Sequence, residues 1–262
     1  MTQVCLNGSR DAAHGALVPM SPGAMADSAA DAVLAGATDV HVHPKSPCGQ
    51  DTLSPRAVTA TLTEIRSRVT VPVGVTTGAW AERDPAVRLE RVRGWTVLPD
   101  HASVNWHEPG AEELAALLID LGVGVEAGIW SGTDGAARFA ASPLAPKVLR
   151  VLAEVTDTGP DTAEATAHAL LSDLGRSPHG RPVLLHGEDG GAWPVLRLAG
   201  RLGLATRIGA EDTLLLPNGE RAVSNAELVK AGVARTSRAV PASSHRASPS
   251  RSPRSCTARP AC

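Results

Sequence analysis

The chain has no tyrosine, one phenylalanine and five tryptophans, an aromatic share of only 2% in 262 residues. A core with so few rings must be built from Ala, Val and Leu, which suits short strands and Ala-rich helices. The four cysteines, Cys5, Cys48, Cys256 and Cys262, show no C-x-x-C spacing, which argues against a cysteine zinc knuckle. Cys5 lies in the apolar run "QVCLNG" and reads as a buried thiol. No apolar run reaches the length of a membrane span, and no secretory h-region follows the first residues, so a cytoplasmic location is expected. A formal charge of −2 gives no reason to expect nucleic acid or a membrane surface as a partner. The charge is unevenly spread, however. Arg235, Arg238, Arg246, Arg251, Arg254 and Arg259 fall after residue 232 with no acid among them, which leaves residues 1–232 at about −8.

What is present is alternation. Short apolar runs at 3–7, 38–43, 71–76, 101–106, 123–130, 147–155, 182–186 and 205–210 are separated by segments of helical spacing. In "GAEELAALLIDLG", Leu114, Leu117, Leu118 and Leu121 form one apolar stripe, and several such segments end in glycine, as C-caps often do. Strands alternating with helices imply βαβ units and a parallel sheet. Eight units in about 250 residues predict a single (β/α)8 barrel over residues 1–232. A doubly wound open sheet would carry G-x-G-x-x-G after its first strand, and the sequence has "NGSRDAAHG" there. From residue 233 Ser, Arg, Pro and Ala dominate without apolar period, so residues 233–262 are expected to be a disordered tail.

The candidate chemistry begins with "DVHVHPK". His41 and His43, two apart on a strand, share a face, and paired imidazoles at a strand end are half of a metal site. Barrel active sites gather at the C-terminal strand ends, and closure places strand 8 beside strand 1, which neighbours strand 2. Strand 8 leads into "TRIGAEDT", so a third ligand is expected from Glu211 or Asp212, the other turning toward a neighbour such as Arg207. Two histidines and one carboxylate would leave a zinc position open, the pattern of a catalytic site. Other strand ends contribute "GVTTG", then Ser103, Asn105, His107 and Glu108, then Glu126, and then His186, Glu188 and Asp189. Trp80, Trp106, Trp130 and Trp193 all follow predicted strands and are expected to wall a pocket.

"CLNGSR", "HVH", "VTTG", "ASVNW" and above all "TRIGAEDTLLLPNGERAVSNAELV" resemble the β-keto acid cleavage enzymes over nearly all of residues 3–232. The resemblance implies a zinc-dependent barrel, a homo-oligomer (dimer or tetramer), that uses acetyl-CoA to turn a β-keto acid into acetoacetate and a new acyl-CoA. It implies His41, His43 and Glu211 as zinc ligands and Arg207 with Asp212 as the pair that activates substrate. Thr76, where serine is expected, and Ser103 match positions that hold the keto acid, and Asn105 stands beside them. In the family's 3-keto-5-aminohexanoate enzyme an acid stands two residues after the first-strand glycine. Here that residue is Arg10, which favours a substrate with a neutral or anionic arm. A zinc hydrolase, or a degenerate barrel that only binds, are the alternatives.

Overall fold

A computed structural model describes residues 1–176 and 179–236. Its strands are β1 (Thr2–Cys5), β2 (Asp39–Val42), β3 (Val73–Thr76), β4 (His101–Asn105), β5 (Gly124–Trp130), β6 (Arg150–Val155), β7 (Val183–Gly187) and β8 (Thr206–Ile208). The helices are α1 (Pro22–Leu34), α2 (Pro55–Arg66), α3 (Pro85–Arg93), α4 (Ala111–Asp120), α5 (Gly135–Ala141), α6 (Ala163–Gly175), α7 (Ala192–Leu202) and α8 (Asn225–Thr236). All strand pairs are parallel, in the order β7-β6-β5-β4-β3-β2-β1-β8. The ring closes between its two ends: the amide of Leu185 donates to the carbonyl of Ala205 at 2.9 Å, and the Thr206 hydroxyl to that of Leu185 at 2.8 Å. This is the (β/α)8 barrel that the alternation predicts.

Local chemistry explains the punctuation. Pro22, Pro55 and Pro85 occupy first helical positions, where a missing N–H costs nothing. Ser21 and Asp84 cap α1 and α3 by accepting from Ala24 N and Ala86 N. Each strand's alternate residues face outward, and there Val4, Val40, Val42, Val75, Val104, Val125, Ile129 and Val151 pack against the helices. Ala26, Ala29, Ala32 and Ala167 let α1 and α6 lie close on that layer, so small residues suffice. The inner face is polar. Gln3, Asp39, His41, His101, Glu126, Arg150, His186 and Arg207 are all buried, facing the lumen.

The barrel extends further than composition suggested. Residues 233–236 belong to α8, not to a tail: Val233 packs against the core, Thr236 donates to Val233 and Gly232 carbonyls, and Arg235 lies 5.6 Å over the Trp193 ring. The remainder of the expected tail, 237–262, lies outside the described residues. No helix among the described residues is long and apolar enough to cross a membrane.

Candidate active site

β2 delivers His41 inward, and His43, just past the strand, continues the same face. The third group arrives from the other side of β1. After β8 the chain turns tightly, with Asp212 N and Thr213 N both donating to the Gly209 carbonyl. Glu211 and Asp212 therefore do not sit on a regular strand with opposed side chains. The turn brings both to one guanidinium: Arg207 donates through Nη2 to Glu211 Oε1 at 2.9 Å and through Nε to Asp212 Oδ1 at 3.1 Å.

His41, His43 and Glu211 each offer a ligand atom, all within 4.8 Å of one another. Glu211 Oε2 lies 3.8 Å from His41 Nε2, and Glu211 Oε1 lies 3.6 Å from His43 Nε2. These gaps are too long for hydrogen bonds, and Glu211 Oε2 is buried without a partner among the described residues. They suit an ion, since two ligands each about 2.0–2.2 Å from a tetrahedral zinc stand roughly 3.4 Å apart. The backs of the rings are arranged to match. His43 Nδ1 meets Asp51 Oδ2 at 2.9 Å, and His41 Nδ1 faces Glu126 Oε2 at 3.9 Å, which aims both Nε2 atoms at the centre. Burial pushes the His41 pKa down to about 4, against the pull of Glu211, so its ring is neutral and ready to ligate. At His43 burial acts in the same sense, but Glu211 and Asp51 overcome it and raise the ring to about 9. A metal bound there takes the place of that proton. Burial likewise favours the neutral acid at Glu211, yet Arg207 and the two histidines hold it well below the usual carboxylate range.

Around this triangle the predicted groups divide. Asp212 is fully buried, with Oδ1 shared by Arg207 and by His186 Nδ1 at 3.3 Å, and Oδ2 free of any partner among the described residues. His186 Nε2 faces Glu154 Oε2 at 3.4 Å. Thr76 and Ser103 are register partners on β3 and β4, two hydroxyls side by side; Thr76 Oγ1 accepts from Gly78 N and keeps its own proton to donate. Arg10 reaches back over the β8 turn, donating to the Glu211 carbonyl at 3.3 Å and to Asp189 Oδ1 at 2.9 Å.

Asn105 is oriented by its neighbour. Glu108 accepts from Arg88 and from Ala79 N, so the Asn105 amide nitrogen must face it, at 2.8 Å, and Oδ1 points into the lumen. Glu108 itself is thus a structural anchor rather than part of the mouth.

The tryptophans also divide. Trp80 lies flat on His43, with centroids 5.9 Å apart and planes 6° apart, and Trp130 continues the stack at 6.2 Å with His107 behind it. Trp106 instead meets Phe139 edge-on inside the helical layer, and Trp193 on α7 donates to the Leu215 carbonyl. Neither walls the site. Sequence reasoning missed Lys45, Asp51 and Glu154. The first two fall in the short loop after His43, where a carboxylate behind a ligating histidine is a physical expectation. Glu154 follows Arg150 and Leu152 at period two along the inner face of β6.

Comparison with known proteins then decides the kinship. The model of the beta-keto acid cleavage enzyme family, BKACE, matches residues 1–247. The chain belongs to that family. No curated protein matches the sequence. Similar solved structures include ObcA in a ternary complex with a C4-CoA adduct and oxalate, with a TM-score of 0.66 at 14% identity over 82% of this chain. The Amycolatopsis orientalis BexX/CysO complex gives 0.52 at 15% identity over 87% of this chain and 90% of that chain. The Escherichia coli homocysteine methyltransferase MmuM, oxidised form, gives 0.56 at 14% over 90% and 95%. The chain spans 62% of the ObcA chain, and at these identities the likeness is one of fold.

Proposed function

We propose that this family member is a zinc-dependent enzyme that condenses a β-keto acid with acetyl-CoA and releases acetoacetate and a new acyl-CoA. One observation carries the reading. The His41–His43–Glu211 triangle adjoins an Asp212 whose one unpartnered oxygen is buried in the site, in a barrel of the β-keto acid cleavage family.

In this reading His41, His43 and Glu211 hold the zinc. When bound, zinc supplies a Lewis acid for the keto oxygen, which acidifies the carbon between keto group and carboxylate. Thr76 and Ser103 donate to the keto acid's oxygens and fix its orientation. Asp212 Oδ2 takes the proton from that carbon, while Arg207 holds Oδ1, with His186 Nδ1 3.3 Å from the same oxygen. The resulting carbanion attacks the acetyl carbonyl of acetyl-CoA and expels the CoA thiolate. The thiolate adds to the original keto carbon, that carbon's bond to the former α-carbon breaks with its electron pair going to the α-carbon, and the acyl-CoA leaves. Asp212 returns its proton to the acetoacetate carbon, so protons and acyl groups balance. Arg10 and Asn105 lie at the edge of the space for the substrate's arm, and Trp80 with Trp130 forms its apolar side. The same reading places a homo-oligomer, dimer or tetramer, in the cytoplasm.

The test is metal content per chain by elemental analysis, followed by a panel of β-keto acids with acetyl-CoA, scoring acetoacetate and acyl-CoA together. About one zinc per chain and matched formation of both products support the reading. Substrate consumed equally well without acetyl-CoA would make the protein a zinc hydrolase instead, and absence of bound metal after zinc is supplied would remove the site.

A further inference from the structure

Lys45 is a buried cation outside the His41–His43–Glu211 triangle. Its side chain is 1% exposed, and its ammonium donates to the Gly8 carbonyl at 2.7 Å, the Arg10 carbonyl at 3.0 Å and Asp51 Oδ1. All three donors are thus used, so the buried amine leaves no polar hydrogen without a partner.

Both ends of that set lead to metal ligands. Asp51 spends its other oxygen, Oδ2, on His43 Nδ1 at 2.9 Å. Gly8 lies against the other ligand: it has φ +56°, and a Cβ there would stand 2.4 Å from Glu211 Cγ and 2.9 Å from its Cβ. The loop after β1 therefore presses bare backbone on the Glu211 side chain, and Lys45 is what holds the Gly8 carbonyl in place. Arg10, pinned by the same ammonium, then reaches across to the Glu211 carbonyl at 3.3 Å. His43 comes from β2 and Glu211 from the turn after β8, which are separated in the barrel by β1.

We propose that Lys45 is a positioning residue for the metal centre, setting the distance between His43 and Glu211 by holding Asp51 with one donor and the β1 loop with the other two. The inference rests on the zinc reading above. Partners behind metal ligands typically change affinity by about 10- to 100-fold when removed. Lys45→Met removes both tethers at once, whereas Asp51→Asn removes only the link to His43.

The experiment loads the full-length chain with zinc and titrates it against a chromophoric chelator, reading zinc withdrawn. Tryptophan fluorescence compared with that of a Trp80→Phe form gives a second readout, since the Trp80 indole lies on His43. Lys45→Met is expected to lose zinc at about 10- to 100-fold lower chelator than the parent. Asp51→Asn should show a smaller loss, and Lys45→Met should cost less when added to Asp51→Asn than when made alone, because the Asp51 path is then already cut. A merely structural lysine would lower the melting temperature without that sub-additivity in zinc affinity. Parent-like affinity in a folded Lys45→Met overturns the proposal. Should that variant fail to fold, parent-like affinity in Asp51→Asn overturns it equally. A parent chain that binds no zinc overturns the metal reading itself, and the role of Lys45 with it.

Discussion

Beneath the metal triangle lies a closed set of charges, and its weakest proton is the sharpest test of how the lumen is held. His101 Nε2 faces Asp39 Oδ1 at 3.0 Å and its Nδ1 faces Glu126 Oε2 at 3.2 Å. Arg150 bridges the same two acids, through Nε to Glu126 Oε1 at 2.6 Å and through Nη2 to Asp39 Oδ2 at 3.0 Å. Gln3 adds donors to both. Burial favours a neutral His101 ring, but Glu126 and Asp39 outweigh it and raise the pKa from 6.5 to about 9. A shift of that size corresponds to about 3 kcal/mol. The pKa is raised on folding, so the contribution is complete below about pH 6.5 and is lost as pH climbs through about 9. Replacing the ring by His101→Gln leaves two buried carboxylates with Arg150 as the cation they share and Gln3 as a neutral donor, a break that typically costs about 3–5 kcal/mol.

The assay is urea unfolding of both proteins at pH 6, 7.5 and 9.5, with excess chelator in every sample so that metal linkage does not enter. His43 and His186, also raised to about 9, titrate in both proteins and cancel in the difference. The expected gap between parent and variant is widest at pH 6 and narrows by about 3 kcal/mol by pH 9.5. A gap that stays flat across that range would refute the argument, since it would mean that His101 carries no proton between its two acids.

The site makes three further claims. On the proposed zinc reading, Asp212→Asn should bind zinc as the parent does and lose about 10²- to 10⁴-fold in kcat, the usual worth of a positioned base; unchanged turnover would reassign the proton transfer. Gly128→Ala places a methyl 2.6 Å from Asn105 Oδ1 and 2.8 Å from Glu154 Oε1, and should lower kcat/KM for long-armed keto acids more than for the shortest one. An unaltered ratio between the two would show that the arm lies elsewhere. Trp80→Ala removes the stack on His43 and should raise the keto-acid KM about tenfold, the value of one aromatic contact; an unchanged KM would exclude that wall from the substrate's path.

What the sequence disclosed and what it concealed have one cause. In an ordinary half-exposed sheet, period-two alternation separates core from solvent. In a barrel both faces are buried, and the same alternation separates the helical layer from the lumen. Val40 and Val42 therefore predicted the strand, while Asp39, His41 and His43 on its other face turned inward and became its chemistry. His41 and His43 were legible because their relation is local. Barrel closure narrowed the third ligand to Glu211 or Asp212, the family resemblance chose Glu211, and its true setting, a turn that delivers two carboxylates to one guanidinium, has no period to betray it. The lumen partners were illegible for a plainer reason: His101 and Asp39 are 62 residues apart, and Gln3 and Glu126 are 123 apart. Gln3, Asp39 and His101 read as unremarkable polar residues in strands, and Glu126, singled out as a strand-end candidate, is instead fully buried between His101 and Arg150. Helix α8 failed to show its end in the opposite way, because Leu228, Val229, Gly232 and Val233 keep a helical stripe that Arg235 and the Ser/Arg/Pro text beyond it mask. Lys45 sits between these cases. Its link to Asp51 spans six residues and its link to Gly8 spans 37, so the loop after His43 held a local signal for half of its role, which the sequence reading passed over, and only the closed barrel supplied the other.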